Sequence, residues 1–357
     1  MGDFTVEVAV IDPSADSRWD AFVESHPLGW ICHLSGWKKV LEKSFKHMKG
    51  HYIVLLRNNN IRAALPVFEV RSWLTGNRLV SIPFATLSDP LVSDSDDMNE
   101  LLKSAVSLSN KLSTSYIEIR TFASSLLMQD KQFGVQHFYK HHYLRFDTDL
   151  EQLKKTFDRT CVRQRISRAQ KSNLKLKPGE HESDLQIFYK LYVMNRKRLS
   201  LPPQPYIFFK MLWETFSPLR RIEILLAEYR DKAIAGVILF KFKDRVSIEF
   251  SAHDEAYRNV SAIQFLFWEA IKAAYHGGYN ILDFGRTSPK NKGLMDFKRR
   301  WGTKVVDIPQ FYYPKEASQR NENRESSMSY KAIKKMCNKA PDFVLPHLGA
   351  FCYRHLG

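Results

Sequence analysis

The chain has 357 residues, long for one compact core, and its 44% apolar content excludes a polypeptide that stays unfolded. Its 54 Lys and Arg against 38 Asp and Glu leave a net charge of +16, a field that favours an anionic partner such as nucleic acid, a phosphorylated headgroup or a glycan precursor. Four cysteines form no CxxC pair and read as reduced thiols, Met1 to Val6 offers no signal peptide, and no apolar run reaches the ~18 residues of a membrane span, so a cytoplasmic protein is expected.

Ser17 to Val23 and Ser35 to Phe45 have helical spacing, with Ser17 and Ser35 as N-caps. His51 to Leu56 and Ile61 to Val70 alternate as strands around Arg57-Asn58-Asn59-Asn60, a turn of asparagines that tolerate positive φ. Arg78 to Phe84 is a further strand, Asp96 to Leu112 a helix, and Tyr116 to Arg120 a strand again. Hairpin, helix and late strand make one α/β unit.

The pattern then returns. Ile222 to Glu228, Ala233 to Phe242 and Val246 to Ser251 form a second meander, followed by a helix at Ser261 to Tyr275 and a strand at Tyr279 to Phe284. A duplicated α/β domain with mixed sheets explains the length better than one large sheet. Division is expected into 1–148, 149–315 and a basic polar linker with an amphipathic tail over 316–357. Between the halves, a helix from Asp149 to Ser172 carries Arg165 and Arg168 on one face, where mutual repulsion calls for a polyanion or a buried acid. In the tail, Lys331, Lys334, Lys335 and Lys339 precede Phe343, Val344, Leu345, Leu348 and Phe351, a pairing suited to peripheral contact with a membrane or to docking on its own domain.

Two stretches carry chemistry. Arg258-Asn259-Val260-Ser261-Ala262 opens a helix, whose free amide groups and dipole suit an anion. This placement resembles the acyl-CoA pyrophosphate loop of GNAT acyltransferases, with Ser261 where the first glycine stands and Ile263 where the last small residue stands. Asp283-Phe284-Gly285-Arg286-Thr287 precedes Phe297-Lys298-Arg299-Arg300-Trp301-Gly302. Together with the repeat and Arg165-Ile166-Ser167-Arg168-Ala169, these segments resemble the Fem-type peptidyltransferases, FemAB-like proteins with two GNAT-like domains, over about residues 17 to 315. The tail from Pro341 onward resembles the FemAB-like proteins associated with exopolysaccharide and exosortase systems.

The resemblance implies a transferase that moves an amino acid from aminoacyl-tRNA, or an acyl group from acyl-CoA, to an amine or hydroxyl of an anionic cell-envelope precursor at the inner face of the membrane. Neither a metal nor a bound cofactor is implied. Lys298 matches the family's Phe-Lys lysine and would stabilise the tetrahedral oxyanion, with Asp283 as orienting carboxylate or base. Phe297 and Trp301 would shape the pocket, and Arg165, Arg168 and Arg286 would hold phosphates. Arg258, Asn259 and Ser261 would take the donor. Two rival readings are an acyl-CoA-dependent N-acyltransferase of polysaccharide synthesis and a non-catalytic protein that binds an anionic glycan or nucleic acid.

Overall fold

In the computed structural model, which describes residues 6–318 and 328–356, strand β1 (Val6–Ile11) pairs antiparallel with β2 (Met48–Arg57). β2 turns onto β3 (Asn60–Val70) through Asn58 and Asn59, whose φ values of 50° and 61° are those the two asparagines were expected to tolerate. β4 (Arg78–Ser81) runs antiparallel to β3, the helix Ser95–Lys111 crosses over, and β5 (Ile117–Arg120) returns parallel to β4. Asp94 caps that helix, its carboxylate accepting from the Asp97 amide at 2.8 Å. Ile53, Leu65, Leu79, Met98, Leu101 and Ile117 form the apolar layer between this sheet and its helix.

The second repeat has the same grammar. After β6 (Gly134–Arg145), β7 (Lys175–Gly179), β8 (Ile222–Tyr229), β9 (Lys232–Phe242) and β10 (Arg245–His253) follow as an antiparallel run. The helix Ala262–His276 then leads to β11 (Ile281–Thr287), parallel to β10, and β12 (Lys304–Tyr313) comes last. Leu225, Val237, Leu266, Ile271, Leu282 and Trp301 belong to the second apolar core.

Two compact units result, interleaved in sequence. Unit 1 comprises residues 1–138, 307–330 and 351–357, and unit 2 comprises 139–306 and 331–350. Strand order in unit 1 is β1-β2-β3-β4-β5-β12, and in unit 2 it is β7-β8-β9-β10-β11-β6. Each unit therefore takes its sixth strand from the other side of the chain's midpoint, which moves residues 139–148 into unit 2 and residues 307–315 into unit 1 relative to the expected divisions.

Several local expectations are corrected. The arginine-rich helix is three pieces, Leu150–Lys155, a π-helical turn Arg159–Arg163 and Gln164–Lys171. The break lies at Asp158, whose carboxylate accepts from the amides of Thr160 and Cys161 at 3.0 and 2.6 Å and so starts a new helical segment. Ser35 is not a cap either. Its amide and hydroxyl both donate to the Asp20 carboxylate, at 2.8 and 2.7 Å. Tail helices occupy Met328–Lys339 and Leu345–Tyr353, with Leu345, Cys352 and Tyr353 buried, while the expected linker over 319–327 lies outside the described residues. Among the described residues, no helix is long and apolar enough to cross a membrane.

Candidate active site

The site grows from a flaw in the sheet of unit 2. β10 and β11 pair in parallel only over Arg245–Ser247 and Ile281–Asp283, whereas β10 stays bonded to β9 as far as His253. Beyond Ser247 the two parallel strands therefore no longer hold each other. Glu249 sits at the register shift between Ile248 and Phe250, where a bulge re-aims a side chain. β11 shifts register at the same level, between Asp283 and Gly285, and Gly285 takes a φ of 72° that a side chain would strain.

Charged groups converge on this opening. The Asp283 carboxylate is buried, 3.1 Å from His141 Nε2 on β6 and 3.1 Å from Arg245 Nη1 on β10, and it accepts from the Gly285 amide at 2.6 Å. Burial alone would raise its pKa, but His141, Arg245 and that amide outweigh it and bring the group down to about 2. Lys298, at the end of the helix Lys292–Arg299, is 7% exposed and donates to the carbonyls of Gly285 and Arg286, both at 3.0 Å. An ammonium has three donors, so one N–H remains after these two. Burial lowers the Lys298 pKa to about 8, with Arg286 adding to the shift and Asp283 and Glu249 opposing it.

Glu249 completes the set. Burial and the nearby charge of Asp283 raise it to about 7, although Ser247 Oγ donates to it at 3.1 Å and Arg286 and Lys298 pull the other way. His142 is held near 4 by burial and by the charge of Lys298, so it is neutral at pH 7, with Nδ1 3.3 Å from Thr303 Oγ1. Unit 2 thus brings a carboxyl and an ammonium that titrate near neutrality to one break in its sheet.

The sequence candidates separate into groups. Lys298, Asp283 and Arg286 meet here, and the Arg286 guanidinium lies over the Tyr139 ring at 4.6 Å. Phe297 packs edge-on to Phe267 at 5.5 Å. Trp301, expected to shape a pocket, is fully buried among Phe157, Phe267 and Phe284, and it anchors the lysine helix to the core. Arg165 and Arg168 are exposed, because their helix buries Ile166 and Ala169 instead. Arg258 and Asn259 are exposed too, Arg258 standing 3.6 Å from Glu255. Ser261 is buried with φ 60° and makes no side-chain cap bond, so it is not an ordinary serine cap; the backbone adopts the left-handed form that a glycine would favour. Glu249, His141 and Arg245 were not among the candidates. Arg245 and Glu249 leave one trace, a period-two polarity with Ser247 inside an otherwise apolar strand that gains meaning only from the neighbouring strand, whereas His141 on β6 leaves no periodic signal.

Residues 158–299 match the family described as Acetyltransferase (GNAT) domain. No curated protein sequence matches the chain. Among solved structures, FemX superposes with a TM-score of 0.70 at 14% identity, over 89% of this chain and all of its own. The C-terminal domain of a putative lysylphosphatidylglycerol synthetase from Agrobacterium fabrum follows at 0.57 and 14%, over 84% of this chain and 91% of its own. A tandem GNAT protein from the clavulanic acid biosynthesis pathway gives 0.55 at 9%, over 86% of this chain and 98% of its own. These identities speak for architecture alone: the chain has an α/β fold similar to those of FemX and of the tandem GNAT protein, with a GNAT domain over residues 158–299.

Proposed function

We propose that unit 2 catalyses acyl or aminoacyl transfer from an activated ester or thioester to an amine or hydroxyl of a cell-envelope precursor. The observation that carries this reading is the convergence of Lys298 and Glu249 at the break between β10 and β11, where each feels the other's charge and burial brings them to about 8 and about 7. The FemAB-like fold and the family resemblance of the Phe297-Lys298 segment support it.

The chemistry balances with these residues. The acceptor nitrogen or oxygen attacks the donor carbonyl carbon, and Glu249, as carboxylate, takes the proton that the nucleophile sheds. The carbonyl oxygen becomes an oxyanion, which the remaining N–H of the Lys298 ammonium meets. Collapse of the intermediate reforms the carbonyl, breaks the bond to the leaving alcohol or thiol, and returns the proton from Glu249 to that group. Asp283 supports the site from behind: by fixing His141, Arg245 and the Gly285 amide it holds the carbonyls that orient Lys298.

Donor identity divides the reading. Aminoacyl-tRNA follows from the FemAB-like resemblance, and the net charge of +16 suits it. Acyl-CoA is favoured by the GNAT match over residues 158–299. The deciding experiment incubates the protein and a UDP-linked muropeptide with labelled aminoacyl-tRNA or labelled acetyl-CoA and follows transfer. Lys298→Ala and Glu249→Gln are each expected to lower turnover by ~10²- to 10³-fold. Turnover unchanged in both variants would remove Lys298 and Glu249 from the chemistry, and substrate binding by the wild-type protein with no transfer from either donor would mark a protein that binds an anionic ligand without catalysis.

A further inference from the structure

Unit 1 carries an apolar tip that its core does not use. The loop of residues 71–77 between β3 and β4 exposes Trp73 at 81% and Leu74 at 56%, and the C-terminal segment adds Phe351 at 52%. Both aromatics pack edge-on to His355, Trp73 at 5.2 Å and Phe351 at 5.5 Å. Around this point Ser72 Oγ accepts from the amides of Leu74 and Thr75 and bonds His355 Nδ1 at 2.9 Å. Arg78 donates to Thr75 Oγ1 at 2.7 Å and to the His355 carbonyl at 3.1 Å. The loop is thus pinned from behind while its tryptophan points outward. A connection alone needs no such side chain, and an exposed tryptophan in a tied loop marks a contact surface.

Charge says what kind of surface. Lys46 and Lys49 are exposed on the segment whose His47 carbonyl accepts from Arg71, and Arg354 is exposed beside the aromatic pair. Glu69 is the acid on the neighbouring strand, and it is already engaged bidentately by Arg71 at 2.8 and 3.0 Å. Amphipathic tryptophan beside leucine and phenylalanine, rimmed by cations, is the chemistry that seats in the headgroup layer of an anionic bilayer. Three side chains fall short of the about 800 Å² per partner that a stable protein interface buries, which argues against a second copy as occupant.

We propose that this tip, Trp73, Leu74 and Phe351 with Lys46, Lys49 and Arg354, docks unit 1 on an anionic membrane surface. The contact goes beyond the transfer chemistry of unit 2 and stands without it. Truncating the tail is a poor test, because it removes the His355 contacts that hold the loop. The full chain is instead floated with phosphatidylcholine vesicles and with vesicles containing phosphatidylglycerol, at low and high salt. Binding is expected to the second kind, weakened by salt, and reduced roughly tenfold or more by Trp73→Ser combined with Leu74→Ser. Arg354→Ser should cost about fivefold on anionic vesicles alone. Light scattering of the same variants gives the other arm. Equal binding by wild type and the double variant, no vesicle binding at all, or a concentration-dependent dimer abolished by Trp73→Ser would each overturn the proposal.

Discussion

Units 1 and 2 have one frame and opposite interiors. In both, a meander leads through a helix to a parallel strand, and the parallel pairing is short: Val80 lies opposite Glu118 in unit 1 as Ser247 lies opposite Asp283 in unit 2. Two residues further along, unit 2 has Glu249 and unit 1 has Ile82, which is fully buried. The acids of unit 1 are spent on neighbours. Glu118 accepts from Arg120 at 2.8 Å, and Asp89 accepts from the amides of Phe122 and Ser124 and from the Ser124 hydroxyl, all within 2.9 Å. In unit 2, by contrast, the carboxyl at the break is poised at about 7 beside a lysine at about 8. A sheet that parts after two or three paired residues sets up the break, and what occupies the next position decides whether it is sealed or reactive.

The contrast between the two units shows most strongly in the pH profile. Glu249 must be ionised to accept a proton and Lys298 must be protonated to meet an oxyanion, so kcat/KM should rise through about pH 7 and fall through about pH 8. Each residue also shifts its partner. In the residual activity of Lys298→Ala the alkaline limb should vanish and the acid limb should move up, because the cation that lowered Glu249 is gone. In Glu249→Gln the acid limb should vanish and the alkaline limb should move down. A profile that keeps both limbs in both variants would detach the two residues from the chemistry.

Exchanging the equivalent residues tests the frame itself. Ile82→Glu places an unpaired carboxylate in a sealed core and should cost about 3 to 5 kcal/mol, read by urea denaturation. Glu249→Ile should abolish transfer yet leave the fold intact. The sign follows from its titration. A carboxyl raised to about 7 favours folding below its unfolded value near 4.5 and loses that contribution as pH rises toward 7, so Glu249→Ile should gain stability over wild type across that window. Equal losses from the two substitutions would mean that the positions are not opposites.

Much of this frame was legible because hydrophobic periodicity reports burial, and buried elements were found within a few residues. The Asn58-Asn59 hairpin, the helix Ser95–Lys111 and the run from β8 to β11 all follow from it. β6 was missed because Gly134-Val135-Gln136-His137-Phe138-Tyr139-Lys140-His141-His142 mixes polar groups into a strand, and two of those histidines are buried for electrostatic and packing reasons that no periodicity shows. β1 and β7 were missed as edge strands, whose outer faces need no apolar pattern. The interleaving of the units is a property of long-range pairing, invisible to local spacing. Within the site, Lys298 was visible through its aromatic neighbours and the family pattern. Glu249 was not, since one carboxylate in a strand acquires meaning only when the adjacent strand departs.

Asp283 separates support from chemistry. Asp283→Asn removes the charge that Arg245 and His141 face in the core, and should cost about 3 kcal/mol. The native group, held at about 2, contributes stability that is present above its unfolded value and is lost as pH falls through about 2, so the deficit of the variant should be full at pH 7 and shrink in acid. Its activity should fall with its stability, while both limbs of the pH profile persist. Loss of the acid limb in this variant would instead make Asp283 the base.

The smallest effect concerns the helix that follows β10. Ser261 holds φ 60° with its side chain buried and uncommitted to capping. A left-handed conformation costs a side-chain-bearing residue about 1 to 2 kcal/mol. Glycine removes that cost, but its freer unfolded chain returns about 0.4 to 1 kcal/mol. Ser261→Gly should therefore leave stability between unchanged and about 1.6 kcal/mol higher, read as a small rise in Tm. A loss beyond 1 kcal/mol would mean that the buried hydroxyl contributes more than the strain it imposes, and that the backbone at this turn is set by Ser261 rather than tolerated by it.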